Sequence, residues 1–389
     1  MTIDQDLIDQ LAGTVRRVVR ERLIPAEPVL EETDRIPGEL LATLRELGLF
    51  GMSVPAEHGG LGLTLEAEVE ILFELCQASV AFRSALGTNN GIGSQGIVID
   101  GTEAQKERWL PGIASGEIVA SFALTEPEAG SDAASLRTQA HRDGGDFVIN
   151  GTKRFITNAP EAGVFTVMAR TDPDIPGAGG ISAFLVEADL PGIAVGRPDR
   201  KMGQRGAHTA DVVFEDVRVP ESAIIGGPER EGQGFKTAMK VLDRGRIHLS
   251  AVCIGAAERL LSEALAYAME RKQFGEAISG FQLVQAMLAD SRAEIFAARA
   301  MTRDAARRYD ADERIPMLAA SAKMFASEMV GRVADRAVQI HGGAGYMAET
   351  PVERLYRDAR LFRIYEGTTQ IQQLVIARNM IREAERGIA

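Results

Sequence analysis

The chain has 389 residues, with 43 Lys plus Arg against 55 Asp plus Glu and a formal charge of −12. Hydrophobic residues at 45% and charged residues at 25% are the mix of a globular protein with length for two or three lobes, which excludes a disordered chain. Two cysteines, Cys76 and Cys253, exclude a disulfide scaffold. The acidic balance argues against nonspecific nucleic-acid binding but leaves room for an anionic ligand in a locally positive pocket.

The N-terminal stretch MTIDQDLIDQLAG lacks a basic segment followed by an apolar run, so it reads as neither a secretory signal nor a transit peptide. No stretch reaches the roughly 18 to 20 apolar residues of a membrane span. A cytoplasmic setting without membrane contact is the expectation. Residues 1–120 read as a helical domain. Leu40, Leu41, Leu44, Leu47 and Leu49 cluster at near-helical spacing, stopped by Gly48 and Gly51. Glu66 to Ala81 reads as one further helix. Thr102 to Gln105 has the form of a capping box, opening a short helix that Pro111-Gly112 should end.

Residues 121–232 change to short β-branched or aromatic runs separated by turn residues, the pattern of a small antiparallel sandwich or barrel. Phe147 to Ile149, Asn150-Gly151 and Lys153 to Thr157 read as a hairpin, because Asn-Gly suits a type I′ turn. Val164 to Ala169, Ile181 to Val186 and Val212 to Phe214 are further expected strands. Residues 233–389 return to helix. Phe281, Leu288 and Ile295 repeat every seven residues, and Val284, Ser291, Ala298 and Ala305 form a parallel series, which is the seam of a four-helix-type bundle. The fold class is therefore α+β, with no alternating βα units.

Gly91 to Gly96 spells GxGxxG, but it lies in a helical region without the preceding strand that dinucleotide binding requires. The five His show no metal-ligand spacing, and no GxSxG elbow is present. Ala123 to Asp132 packs hydroxyls, small residues and Gly into the helix-to-strand junction, where they can offer backbone N–H groups to a flat ligand or simply form a turn. Gln339 to Tyr346 ends a helix with more glycines than a C-cap needs, leaving room for a phosphate. Ile364 to Gln370 sets Glu366 between an aromatic and a glycine. A carboxylate beside apolar groups can serve as a base, and the plainer role is a cap for the helix that follows.

Together these segments resemble the acyl-CoA dehydrogenase family. Ala123 to Ser135 is similar to its LTEP-x-x-GSD signature, and Gln339 to Asp358 to its QIxGGxGY signature with Glu349, Arg354 and Asp358 spaced behind it. Tyr365 to Gln370 is similar to the catalytic YEGT-x-Q loop, Phe155 to Asn158 to the flavin segment, and Arg271 to Gly275 with Phe281-Gln282 to R-x-x-FG and FQ. The resemblance implies FAD as cofactor. It assigns Phe122, Leu124, Thr125, Phe155, Ile156 and Thr157 to the flavin ring; relatives often carry Trp where Phe155 stands. Arg271, Phe274, Gln282, Gln339, Gly342 and Gly343 would hold the diphosphate and adenosine, partly across a subunit boundary, which implies a homotetramer built as a dimer of dimers. Thr368 and Gln370 would meet the nucleotide end, with Ser131 also near the cofactor. Ser131, Asp243, Arg246 and Gly367 would contact the CoA substrate. Glu366 would take the α-proton of an acyl-CoA while the β-hydrogen leaves as hydride to the flavin, yielding a trans-2-enoyl-CoA and passing electrons to an electron-transfer flavoprotein. Some relatives carry the base where Gly245 stands here, and Gly245 cannot serve. Phe82 to Ala85 resembles the segment with which glutaryl-CoA dehydrogenases bind a far carboxylate, so Arg83 either reads a dicarboxylyl-CoA or is an exposed or structural Arg. A flavin oxidase or monooxygenase of the same fold, and a non-catalytic scaffold, are the alternatives.

Overall fold

The computed structural model describes residues 5–387. The first residues of the acidic N-terminal stretch, 1–4, lie outside the described residues. Seven helices come first: α1 (Gln5–Val18), α2 (Glu27–Thr33), α3 (Gly38–Glu46), α4 (Leu65–Leu75), α5 (Val80–Asn90), α6 (Gln95–Asp100) and α7 (Glu103–Ser115). The helix expected over Glu66 to Ala81 is two helices. Ser79 caps α5 through Ala81 N–H, and Glu27 accepts the Ser79 N–H at 2.7 Å, so the chain turns before Val80. The capping box at Thr102 forms as expected. Pro111 does not end that helix: α7 runs through it to the left-handed Gly116, and both Pro111 and Glu107, whose carbonyl loses its N–H partner, face water.

The middle domain is a seven-stranded sheet of β1 (Ala120–Ala123), β2 (Gln139–Asp143), β3 (Asp146–Thr157), β4 (Val164–Arg170), β5 (Ile181–Glu187), β6 (Ile193–Val195) and β7 (Thr209–Pro220). It is not purely antiparallel. β1 pairs parallel with β4, because β2 and β3 lie between them in the chain and supply the long connection a parallel pair needs. Nor does Asn150-Gly151 form a hairpin turn. β3 runs straight through it, with a register shift between Ile149 and Gly151 against β7. Asn150 reaches across to Asp216, and a Cβ on Gly151 would lie 2.4 Å from Thr138 Oγ1, so close approach explains this glycine. The actual turn is at Gly144-Gly145, between the paired Asp143 and Asp146.

The C-terminal part contains α8 (Gly234–Glu270), a short hairpin of β8 (Lys272–Gln273) and β9 (Glu276–Ala277), then α9 (Gln282–Asp310), α10 (Pro316–His341), α11 (Pro351–Ala359) and α12 (Thr369–Glu385). On α9 the expected seam residues Ser291, Ile295, Ala298 and Ala305 are buried. One large core joins α1–α5 to α8–α11, a second is built among the strands of the sheet, and a third lies between the sheet and α6–α8. This is a three-domain fold in which both helical parts share a core and the sheet packs on them through the third.

Candidate active site

Glu366 sits in the loop between α11 and α12 with φ +53, followed by Gly367 at φ +89. Two successive left-handed residues turn the Glu366 side chain inward. It does not cap α12; Thr368 does, accepting the Ile371 N–H. Gln372 donates to the carbonyls of Glu366 and Gly367, each at 3.0 Å. Glu366 Oε2 is buried without a hydrogen-bond partner. The Glu366 N–H likewise donates to no acceptor among the described residues. Burial pushes the Glu366 carboxyl above the usual range, and Arg83, Lys323 and Arg246 act against that rise. A buried carboxylate with an open oxygen beside a free N–H is chemically a base next to a donor for a carbonyl oxygen.

The space facing Oε2 is made by a missing side chain. A Cβ on Gly245 of α8 would lie 2.6 Å from Glu366 Oε2 and 3.6 Å from Ile92 Cγ2. Ile92 belongs to the turn that reads GxGxxG. That turn follows a helix rather than a strand, and Gly93 is there because Ala120 O would lie 2.5 Å from its Cβ. Thr166 of β4 donates to Gly93 O at 3.0 Å, and Asn158 at the end of β3 donates to Ser84 O and Thr88 Oγ1 of α5 at 2.9 Å. The sheet is thus tied to the helices around Glu366.

Arg83 is not an exposed arginine; it is 8% exposed. Its Nε donates to His248 Nε2 at 2.9 Å, and His248 Nδ1 meets Glu68 Oε1 at 2.6 Å. Glu68 also pairs with Arg244. Burial, helped by Arg83, drives the His248 pKa down to about 4. Burial alone would raise Glu68, but Arg244 and the His248 hydrogen bond outweigh it and hold Glu68 at about 2. His248 is therefore neutral, its Nδ1–H given to Glu68 and its Nε2 accepting from Arg83. Neither terminal nitrogen of Arg83 has a hydrogen-bond partner among the described residues. Arg246 pairs with Asp243 at 2.5 Å while its Nε is buried without a partner, and burial raises the Asp243 pKa against the pull of Arg246.

The residues expected to face the flavin ring are held by a buried ion pair. Lys153 Nζ reaches Glu126 Oε1 at 2.7 Å and Leu124 O at 3.2 Å. Glu126 also accepts from the N–H groups of Arg137 and Thr138. Arg154 N–H donates to Thr125 O, fixing Leu124 and Thr125 against β3. Phe122 and Leu124 pack half-buried on the third core, and Ile156 is buried within the second. Phe155 is 59% exposed at φ +58 with the Arg154 guanidinium over its ring. An exposed ring in a left-handed conformation beside a locked backbone fits a planar ligand. Ser131 is exposed in the preceding loop, and the Thr157 carbonyl accepts from Ser121.

The expected nucleotide-end residues gather elsewhere, at one end of the bundle. Tyr267 of α8 stacks on His341 of α10 at 4.2 Å, bringing the Arg271 loop beside Gly342-Gly343. Phe274 meets Phe281, next to Gln282, at 6.1 Å. Arg271, Phe274, Gln282, Gln339, Gly342 and Gly343 are all exposed, and a Cβ on either glycine would meet nothing within 4 Å. Gln370 is exposed and Thr368 half-buried on the α12 end of the catalytic loop. The charged tail of the second motif is structural: Arg354 pairs with Glu27, and Asp358 accepts the Gln204 N–H. Sequence reasoning missed Glu68, Ile92, His248, Lys323 and Gln372. Glu68, His248 and Lys323 stand outside any motif and their partners lie far away in the chain, whereas Ile92 is inside Gly91–Gly96 and Gln372 just past Tyr365–Gln370.

Among the described residues no helix is long and apolar enough to cross a membrane, and no group of His, Cys, Asp or Glu is arranged to hold a metal. Models of the acyl-CoA dehydrogenase N-terminal, middle and C-terminal domains match residues 6–117, 121–217 and 232–381. A probable acyl-CoA dehydrogenase of Mycobacterium tuberculosis is 42% identical over 96% of this chain and 95% of its own. Butyryl-CoA dehydrogenase from Megasphaera elsdenii superposes with TM-score 0.92 at 35% identity, covering 98% of this chain and 100% of that one. A glutaryl-CoA dehydrogenase solved with glutaryl-CoA superposes with TM-score 0.92 at 31% identity, covering 100% of this chain and 97% of that one.

Proposed function

The chain belongs to the acyl-CoA dehydrogenase family and is an FAD-dependent oxidoreductase; from that premise we propose that it converts an acyl-CoA thioester to a trans-2-enoyl-CoA with Glu366 as the base. The observation that carries this reading is the buried, unpartnered Glu366 Oε2 facing the space left by Gly245. The α-proton moves to that oxygen. The Glu366 N–H meets the thioester oxygen as negative charge grows there. Bound FAD supplies the acceptor for the β-hydride. Phe122, Leu124, Thr125, Phe155, Ile156 and Thr157 would flank the ring, and Arg271, Phe274, Gln282, Gln339, Gly342 and Gly343 the nucleotide. Thr368 and Gln370 would border its far end, with Ser131, Asp243, Arg246 and Gly367 along the CoA.

The test is anaerobic mixing with butyryl-, isobutyryl-, octanoyl- and glutaryl-CoA, followed by flavin bleaching. Glu366→Gln should keep FAD and lose bleaching rate by about 10²-fold to 10⁴-fold, the range of a lost general base. A variant bleaching at near wild-type rate refutes the assignment.

A second reading has its own support. Arg83 is held by a neutral His248, and its terminal nitrogens have no partner among the described residues. An arginine presented in this way favours an acyl chain ending in a carboxylate. The proposed electron acceptor is an electron-transfer flavoprotein, and the proposed assembly is a cytoplasmic dimer of dimers. Exposed Phe274 and Leu283 at the nucleotide end, 96% and 82% exposed, support contact with a second copy.

A further inference from the structure

One buried cation has no part in that mechanism. Lys323 of α10 is 0% exposed. Its Nζ donates to the Gly367 carbonyl at 2.7 Å and to no other acceptor among the described residues. A methionine would fill this space without taking a charge out of water, so the ammonium has a cost that packing does not repay. Its position says what it does instead. Gly367 is the residue after Glu366, and its carbonyl takes Lys323 from one side and Gln372 from the other. Glu366 carries a Cβ and is disfavoured at φ +53, so its conformation needs outside support.

The charged and titratable groups around Glu366 come from three helices and the loop itself. They are Arg83 of α5, Arg246 and Cys253 of α8, Lys323 of α10, and the neighbouring Tyr365. Lys323 itself faces Cys253, Glu366, Arg246 and Glu328. Arg246 is already paired with Asp243, and Arg83 is tied to His248. Lys323 alone among these cations also bonds the loop that bears the carboxylate. We propose that Lys323 is a positioning residue for the base: it clamps Gly367 so that Glu366 stays turned inward, and its charge favours the ionised carboxylate in an apolar setting. This rests on the reading of Glu366 as the base.

The test uses the flavin-loaded enzyme and compares wild type with Lys323→Met and Lys323→Gln. Lys323→Met should lower kcat at least about tenfold with KM little changed, and move the acid limb of the kcat profile up by about one pH unit, the size expected for loss of one nearby opposite charge. Lys323→Gln keeps a donor for Gly367 but no charge. It should show the same shift with a smaller loss of kcat, and it decides the matter if Lys323→Met does not fold. An unmoved acid limb in the folded variant overturns the proposal. Glu366→Gln run alongside separates the two ideas. If it is inactive while the acid limb stays put, the positioning role falls; if it is active, the base assignment falls first.

Discussion

Gly245→Ala separates stability from catalysis at this site. The new Cβ would stand 2.6 Å from Glu366 Oε2, with Cδ at 3.4 Å. That is about 0.8 Å short of ordinary contact. The strained partner is the far end of a side chain, so the carboxylate moves and the backbone need not. Gly245 lies inside α8, where alanine is favoured over glycine by about 0.5–1 kcal/mol, which offsets most of the strain. The melting temperature should therefore change little and FAD should stay bound. The carboxylate, however, is displaced by nearly 1 Å, and misplacement of that size costs about 10²-fold in rate. The assay is single-turnover flavin bleaching with a saturating acyl-CoA, beside a thermal melt. A folded Gly245→Ala enzyme bleaching at the wild-type rate would mean that Glu366 Oε2 is not where the base acts. A variant that loses stability and rate in proportion would mean that Gly245 serves packing.

Two further outcomes follow from the buried network. Arg83→Ala, assayed above the acid limb because Arg83 also acts on Glu366, should raise the barrier for glutaryl-CoA by about 2–5 kcal/mol, the cost of removing one partner of a buried charge pair, and that for butyryl-CoA much less; equal losses on both substrates would leave Arg83 a structural role. Stability should decline with acid in two stages. His248 is held below its ordinary 6.5 at about 4, so the stability it lends is full above 6.5 and is lost as pH falls towards 4. Glu68 is held below 4.5 at about 2, so its share goes between 4.5 and 2. Urea midpoints measured from pH 7 downward should show the first stage in wild type and a flatter slope in His248→Gln. Parallel slopes would refute the neutral His248.

The parts of the site that were legible in sequence are those whose chemistry sits in a contiguous string. Tyr365 to Gln370 marks a carboxylate in a short string that reads equally as a helix cap, and the residues that surround it, Gly245, Arg83, Arg246 and Lys323, are remote in the chain. The heptad seam of α9 was legible because its period is local. What escaped the reading depends on contacts made across the chain. Asn150-Gly151 has the composition of a turn, yet Thr138 and Asp216 recruit it into a continuous strand. Arg83 reads as a carboxylate reader or as an exposed or structural arginine until His248, 165 positions away, is packed against it. Lys323, among alanines and methionines, carries no local signal, and its partner Gly367 lies 44 residues later.

The same distinction sharpens the meaning of the net charge. A total of −12 describes the whole chain. The buried surroundings of Glu366 run the other way, with Arg83, Arg246 and Lys323 all acting on one carboxylate. Asp243 offsets one of them, and Glu68 spends its charge on Arg244 and His248 rather than on Arg83. The remaining positive potential is confined by low-dielectric walls, where it is felt more strongly than at the surface. The net charge therefore does not set the field at this site: an acidic protein holds a locally positive interior around Glu366.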